Sequence, residues 1–120
     1  MLINKTKNKV LAKKIHNCKS ILSKSIGCMF SLKSTLKNKA LIFHFSKPQI
    51  ISLHMFFVFY PIDVLFIKNN RIVEIKENFL PFTFYTPKNK ADMVIELPKD
   101  MIKKTITKLN DTIAFNTSLE

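Results

Sequence analysis

An apolar run over residues 50–67 is the feature that most restricts how this chain can fold. A run of this kind belongs either to a membrane-spanning helix or to buried strands. His54, Pro61 and Asp63 interrupt it, and a carboxylate is costly in hydrocarbon while proline breaks a helix. The run is also shorter than the roughly 20 clean apolar residues that a spanning helix needs. We therefore predict two buried strands joined at Tyr60 and Pro61, and no transmembrane span.

A β-hairpin is the clearest local prediction, because Asn69 and Asn70 separate two segments rich in branched residues. Asparagine tolerates the positive φ of two-residue hairpin turns, so residues 62–76 are predicted to form the hairpin. Other strands are predicted at residues 10–16, 40–45, 79–85, 93–97 and 111–115, and short helices at residues 17–27, ended by Gly27, and 100–109. The pattern is that of one antiparallel-rich α+β domain.

The chain length of 120 residues fits a single domain. We expect residues 1–9 to be a basic flexible tail, residues 10–116 to be the domain, and residues 117–120 to be a second tail. The first nine residues lack the apolar block of a signal peptide, so we expect a cytoplasmic, monomeric protein, with peripheral membrane attachment as an alternative. Cys18 and Cys28 match no zinc or redox spacing and are expected to stay reduced.

The formal net charge of +12 is concentrated in one half of the chain. Residues 1–62 contain 11 lysines and no acid, whereas residues 63–120 contain nine basic and eight acidic residues. The abundance of Lys, Ile, Phe and Asn is typical of an A/T-rich genome, which explains the number of lysines and not their placement. Sequence-specific DNA binding is not expected, because Arg71 is the only arginine and bidentate guanine contacts favour arginine.

Two interpretations of the lysine-rich half remain open: a solvated face, or a patch that docks on anionic lipid or on nucleic-acid phosphates. The lysines of such a patch would be Lys13, Lys14, Lys19, Lys24, Lys33, Lys37 and Lys39.

Two carboxylates interrupt predicted apolar strands and are candidate site residues. Asp63 could contact a ligand, act as a general base at a pocket rim, or be a hydrogen-bonded turn residue after Pro61. Glu96 invites the same alternatives, and a hydrolase using both residues would need them in one cleft.

The histidines lack the spacing of common metal sites. His44 and His54 could face each other on adjacent strands and, with Cys28, Met29 and Met55, would suit Cu(I); ordinary strand packing is the competing interpretation. The sequence indicates no particular cofactor.

Several segments together resemble the family called domain of unknown function 192, or uncharacterised protein family 0127. In order, they are Gly27-Cys28-Met29-Phe30, Ala40-Leu41-Ile42-Phe43, Met55, Pro61-Ile62-Asp63-Val64-Leu65-Phe66-Ile67, Arg71-Ile72-Val73, Pro81, Val94-Ile95-Glu96-Leu97-Pro98 and Asn110-Asp111-Thr112. The resemblance implies a β-rich, barrel-like domain with a short helix near its start, and no established activity.

The chain departs from the family pattern at five positions. Ser31 stands where a basic residue often follows Met-Phe, His54 where the family commonly has Trp, and Phe57 where it has Asn. Asp100 and Asn110 stand where the family commonly has Gly. The resemblance thus implies that a polar site built on that basic residue and Asn would be altered in this chain.

The function favoured by the sequence is a small, non-enzymatic intracellular binding domain with a pocket near Asp63 and an unknown small ligand or protein as partner. The candidate ligand-binding residues are Gly27, Met29, His54, Met55, Asp63 and Glu96. The alternatives are the peripheral protein that docks its lysine-rich half, and the hydrolase.

Overall fold

Strands dominate the computed structural model, which describes residues 1–18, 38–54 and 60–116. The strands are β1 (Leu2–Asn4), β2 (Lys9–Ala12), β3 (Lys14–Cys18), β4 (Lys39–Gln49), β5 (Leu53–His54), β6 (Ile62–Lys68), β7 (Arg71–Phe79), β8 (Phe84–Tyr85), β9 (Ala91–Pro98) and β10 (Ile113–Phe115). One short helix, α1 (Met101–Lys104), lies between β9 and β10. The predicted β-rich domain with a short helix near the C-terminus is confirmed, although α1 is shorter than expected.

The strands form a five-stranded sheet in the order β3-β4-β9-β6-β7, a three-stranded sheet in the order β10-β1-β2, and a ribbon of β5 with β8. All pairs are antiparallel except β3 with β4. The barrel-like prediction is wrong in the described parts of the chain, where no closed barrel is found: β3 and β7 end the large sheet without pairing with each other.

The two faces of the five-stranded sheet carry separate apolar clusters, because side chains alternate along each strand. Face A carries Cys18, Leu41, Phe43, Ile62, Val64, Phe66, Phe79, Ala91 and Val94, and packs against Ile51 and Leu53. Face B carries Ala40, Ile42, Leu65, Ile67, Ile72, Ile95 and Leu97, and packs against Leu2, Leu11, Ala12, Ile102 and Ile113. The three-stranded sheet and α1 therefore cover face B, and the β5–β8 ribbon contributes to the cover of face A.

The predicted hairpin is confirmed as β6 and β7, with Asn69 at φ 52° and Asn70 at φ 62° in the turn. Left-handed conformations occur at nine non-glycine residues of the described chain: Asn8, Asn38, Asn69, Asn70, Asn78, Phe82, Asp100, Ile106 and Asn110. Asp100 and Asn110, at positions where the resemblance implies glycine, both have φ 71°. Asparagine and aspartate adopt this region more readily than other non-glycine residues, so they can occupy positions that elsewhere need glycine.

Residues 1–9 are not a flexible tail, so this prediction is wrong. β1 is the central strand of the three-stranded sheet, and Leu2 is fully buried. Its register pairs Leu2 with Phe115 and Asn4 with Ile113. The Met1 ammonium donates a hydrogen bond to the Asn116 carbonyl over 3.0 Å. A partner strand more than 100 residues away along the chain holds these residues in place.

The start of the chain differs from prediction in two further ways. The strand predicted at residues 10–16 is divided between β2 and β3, with Lys13 between them. Asn17 and Cys18, predicted to begin a helix, lie at the end of β3, and the rest of that predicted helix, with Gly27, lies outside the described residues. Residues 117–120 also lie outside them. Of the helices that the structure describes, none has the length and apolar character needed to cross a membrane.

Candidate functional site

Asp63 lies on β6 and is only 1% exposed. Its Oδ1 accepts a hydrogen bond from the Asn78 amide and its Oδ2 one from the Ile102 amide, each over 3.0 Å. β7 carries an extra residue here, since Ile62 pairs with Phe79 but Val64 pairs with Lys76. Asp63 thus holds a β-bulge and the start of α1. It accepts hydrogen bonds from backbone amides, as the structural alternative predicts, but does so from within β6 and not from a turn.

Asp111, 4% exposed, is also surrounded by hydrogen-bond donors. The Asn4 amide group, the Lys108 backbone amide and the Lys7 ammonium lie 2.9, 2.9 and 3.0 Å from Oδ2. Burial raises the pKa of Asp111, but these hydrogen bonds and the Lys7 charge outweigh it and hold the pKa below its ordinary value. This network joins β1 to the segment before β10.

Glu74 plays a similar part on face A, where it is 8% exposed and pairs with Phe66. Its Oε1 accepts hydrogen bonds from the Lys88 amide and from both the backbone and side-chain nitrogens of Asn89, over 2.8 to 3.0 Å. The Tyr85 hydroxyl donates to Oε2. Burial raises the pKa of Glu74, yet the hydrogen bonds, that of Tyr85 foremost, bring it below its ordinary value.

Glu96 differs from these three carboxylates. It lies on β9 between Leu41 of β4 and Val64 of β6, both of which are buried in the face A cluster. Its pKa is raised to about 7 by burial, and no hydrogen bond or charge from the described residues counteracts that effect. A partly buried carboxyl group among apolar side chains and without a partner is unusual, because burying its charge is costly.

Tyr60 supplies a second polar group near Glu96 that lacks a partner among the described residues. The ring packs against the face A cluster, and the hydroxyl oxygen is buried with no hydrogen-bond partner among the residues described. Burial raises the pKa of Tyr60 to about 12, and the nearby negative charge of Glu96 adds to the effect. Buried hydroxyl groups are nearly always hydrogen-bonded, so Glu96 and Tyr60 together form the candidate site.

Asp63 and Glu96 do not share a cleft. Asp63 pairs with Leu97, whose side chain lies on face B, so Asp63 also points to face B. Glu96 precedes Leu97 on β9 and pairs with Leu41, so it points to face A. The sheet separates the two carboxylates, because neighbouring residues of a strand point to opposite faces. The hydrolase hypothesis required one cleft, and this requirement is not met.

His44 and His54 do not face each other on adjacent strands, as a Cu(I) site built on them would require. β4 pairs with β3 and β9, while β5 pairs with β8, so His44 and His54 are not on neighbouring strands. The His44 Nε2 lies 2.9 Å from the Asn17 Oδ1. Within the described ranges no group of three or more His, Cys, Asp or Glu side chains could hold a metal ion. Cys28, Met29 and Met55 lie outside those ranges, as does the side chain of His54.

Three of the seven lysines of the predicted patch, Lys13, Lys14 and Lys39, line one cleft at the β3 edge of the large sheet. Lys19, Lys24, Lys33 and Lys37 lie outside the described residues. Of the ligand-binding candidates, Gly27 and Met29 are also outside them, and the structure places Glu96 and Asp63 on different faces.

Sequence reasoning identified Glu96 but missed Tyr60 and the Glu74–Tyr85 contact. The sequence pattern places Tyr60 only at the junction of two predicted strands. A signal for Tyr60 is its position beside Pro61, just before the strand whose residues are most buried, because a buried tyrosine hydroxyl there would need a hydrogen-bond partner. Glu74 lies inside the predicted hairpin, and no local pattern indicates a tyrosine 11 residues later as its partner.

Known proteins similar to this chain support one family assignment. The family model DUF192, described as "Uncharacterized ACR, COG1430", matches residues 2–115. A UPF0127 protein of Thermococcus sibiricus is 33% identical over 94% of this chain and 73% of its own length. A UPF0127 protein of Pyrococcus horikoshii is 28% identical over 98% of this chain and 100% of its own length.

A solved structure supports the fold. A protein of unknown function from Novosphingobium aromaticivorans aligns with a TM-score of 0.79 and 18% identity, over 95% of this chain and 82% of that chain. At this identity the likeness concerns the fold alone. The family match, by contrast, covers nearly the whole chain, including both candidate carboxylates. The chain therefore belongs to the DUF192 family, whose curated relatives are named UPF0127 proteins.

Proposed function

We propose that this protein is a non-enzymatic binding domain that holds a small ligand on face A through Glu96 and Tyr60. One observation carries the proposal: three buried carboxylates have hydrogen-bond donors, and Glu96, beside an unpartnered tyrosine hydroxyl, has none within the described chain. A ligand that supplies the missing partners would remove the cost of leaving both groups unsatisfied.

The two groups define the chemistry of the ligand. An ionised Glu96 only accepts hydrogen bonds, while the Tyr60 hydroxyl can donate one. A head group with an N–H donor next to a carbonyl acceptor, as in a primary amide, complements both. Leu41, Val64 and the neighbouring side chains of the face A cluster are apolar, so the rest of the ligand should be apolar too.

Hexanamide and N,N-dimethylhexanamide are a matched pair of probes, because only the first has N–H donors. We expect hexanamide to shift the NMR signals of residues around Glu96 at pH 8, and the dimethyl compound to bind at least about fivefold more weakly. Tyr60→Phe should weaken hexanamide binding, whereas Glu77→Gln, at an exposed carboxylate on β7, should not. Equal binding of the two compounds, or of hexanamide to Tyr60→Phe and the unmodified protein, would contradict the proposal.

A further inference from the structure

A basic cleft of about 500 Å³ opens at the β3 edge of the five-stranded sheet. It is lined by Lys13, Lys14, Ile15, His16 and Lys39. Lys14 of β3 lies directly opposite Lys39 of β4 in the parallel register. Two ammonium groups at paired positions repel each other, so the fold keeps an arrangement that costs stability when the cleft is empty.

The lysines of the cleft have no acidic partner among the residues described. Lys7, by contrast, forms a salt bridge to Asp111 over 3.0 Å. The difference follows from the chain itself, since no acid precedes Asp63 and both strands of the cleft come from that acid-free half. The positive charge of the cleft is therefore not neutralised within the described protein.

Backbone hydrogen bonds fix the base of the cleft. The amides of Lys13 and Lys14 both donate to the carbonyl of Asn38, over 3.2 and 3.1 Å. Asn38 has φ 61°, which turns the chain into β4 at that point. Lys14 and Lys39 thus lie on paired strands, and Lys13 lies directly before β3, so the backbone of the cleft is already ordered, which lowers the entropy lost when a ligand binds.

We propose that this cleft binds a phosphate monoester dianion. The ammonium groups of Lys14 and Lys39 and the imidazole of His16 lie on the same side of the sheet edge and supply hydrogen-bond donors for the phosphate, and lysine serves phosphate as a point charge. The volume falls in the range of small-ligand sites and exceeds what inorganic phosphate alone would fill.

The dianion could be a soluble phosphorylated molecule or the head group of phosphatidic acid, and the test separates the two. One arm titrates the full chain with phenyl phosphate at low salt and follows binding by calorimetry and thermal denaturation. The other arm measures sedimentation with phosphatidylcholine vesicles that contain phosphatidic acid. Both arms use the unmodified protein, the double variant Lys14→Gln/Lys39→Gln and the control Lys103→Gln/Lys104→Gln, which removes the same charge from α1.

Binding in either arm that falls about tenfold or more in Lys14→Gln/Lys39→Gln, and less than about twofold in the control, supports the site. Phenyl phosphate binding assigns a soluble ligand, and binding to vesicles only assigns the lipid head group. The Tm of the double variant without ligand should equal or exceed that of the unmodified protein, since the variant loses a repulsive pair. Absence of binding in both arms, or an equal loss in the control variant, overturns the proposal.

Discussion

The two faces of the five-stranded sheet differ in whether all their buried polar groups have hydrogen-bond partners among the described residues. On face B, Asp63 and the Asn4–Asp111 network tie distant segments together, and their carboxylate oxygens accept hydrogen bonds over 2.9 to 3.1 Å. Face A contains both kinds of group: Glu74 is surrounded by donors, whereas Glu96 and Tyr60 lack partners within the described chain. Buried polar groups with partners serve the fold, and the exceptions mark where a ligand can be held.

Substitution of Asp63 should give the largest change in the free energy of unfolding. Asp63→Asn replaces one acceptor oxygen by an NH₂ group, which leaves the amide of Asn78 or Ile102 unsatisfied in the interior. We expect the free energy of unfolding to fall by about 3 kcal/mol. Urea denaturation measures the change, with Glu77→Gln as the exposed control on the neighbouring strand. An unchanged Tm would show that Asp63 has no structural role.

Glu96→Gln should have the opposite effect, and its size should depend on pH. Burial raises the folded-state pKa of Glu96 to about 7, so between its ordinary value of 4.5 and about 7 the folded state binds the proton that the unfolded state has lost. Stability therefore falls as pH rises through this window and levels off above it.

The glutamine variant should be more stable than the unmodified protein by about 2 kcal/mol at pH 8 and nearly equal to it at pH 5. Urea denaturation at the two pH values measures this difference. Glu74→Gln is the matched comparison on the same face: the lowered pKa of Glu74 means that its contribution is present above pH 4.5 and lost in acid. If the stability of Glu96→Gln depended on pH in the same way as that of the unmodified protein, Glu96 would have a partner that stabilises its charge.

The two tyrosines of face A offer a matched pair of hydroxyl deletions. Tyr85→Phe removes the donor to Glu74, and we expect a loss of about 1.5 kcal/mol, because that bond involves a charged acceptor. Tyr60→Phe removes a buried hydroxyl without a partner among the described residues and should cost nothing. Thermal denaturation compares the stabilities of the two variants. If both variants lost the same stability, the Tyr60 hydroxyl would contribute to the fold as the Tyr85 hydroxyl does.

The smallest expected effect concerns the loop after α1, on the side of face B. Ile106 has φ 55° and is 55% exposed, so a β-branched residue occupies the left-handed region without burying its side chain. Ile106→Asn should raise the free energy of unfolding by about 1 kcal/mol. The exposed Lys104→Asn change in α1, where φ is helical, is the control and should not stabilise. A lower Tm for the Ile106 variant would contradict this account.

Local patterns were sufficient wherever neighbouring residues determine the structure. Asn69 and Asn70 indicate their own turn, and the alternation of Leu41, Ile42 and Phe43 indicates the two faces of β4. The strand at Leu2–Asn4 could not be found in this way, because its stability depends on pairing with Ile113–Phe115 at the other end of the chain. A short polar segment beside lysines has the composition of a tail until that partner is known.

The sequence by itself determined the family, the strand-rich character of the chain and the identity of Asp63 and Glu96 as carboxylates that need an explanation. Only the tertiary structure decided that the two have different roles. The pairing register places Asp63 opposite Leu97 and Glu96 opposite Val64, and a shift of one residue would exchange their faces. This register depends on contacts between strands far apart in the chain, which local sequence patterns do not specify. The register therefore decides which carboxylate meets hydrogen-bond donors and which is left for a ligand.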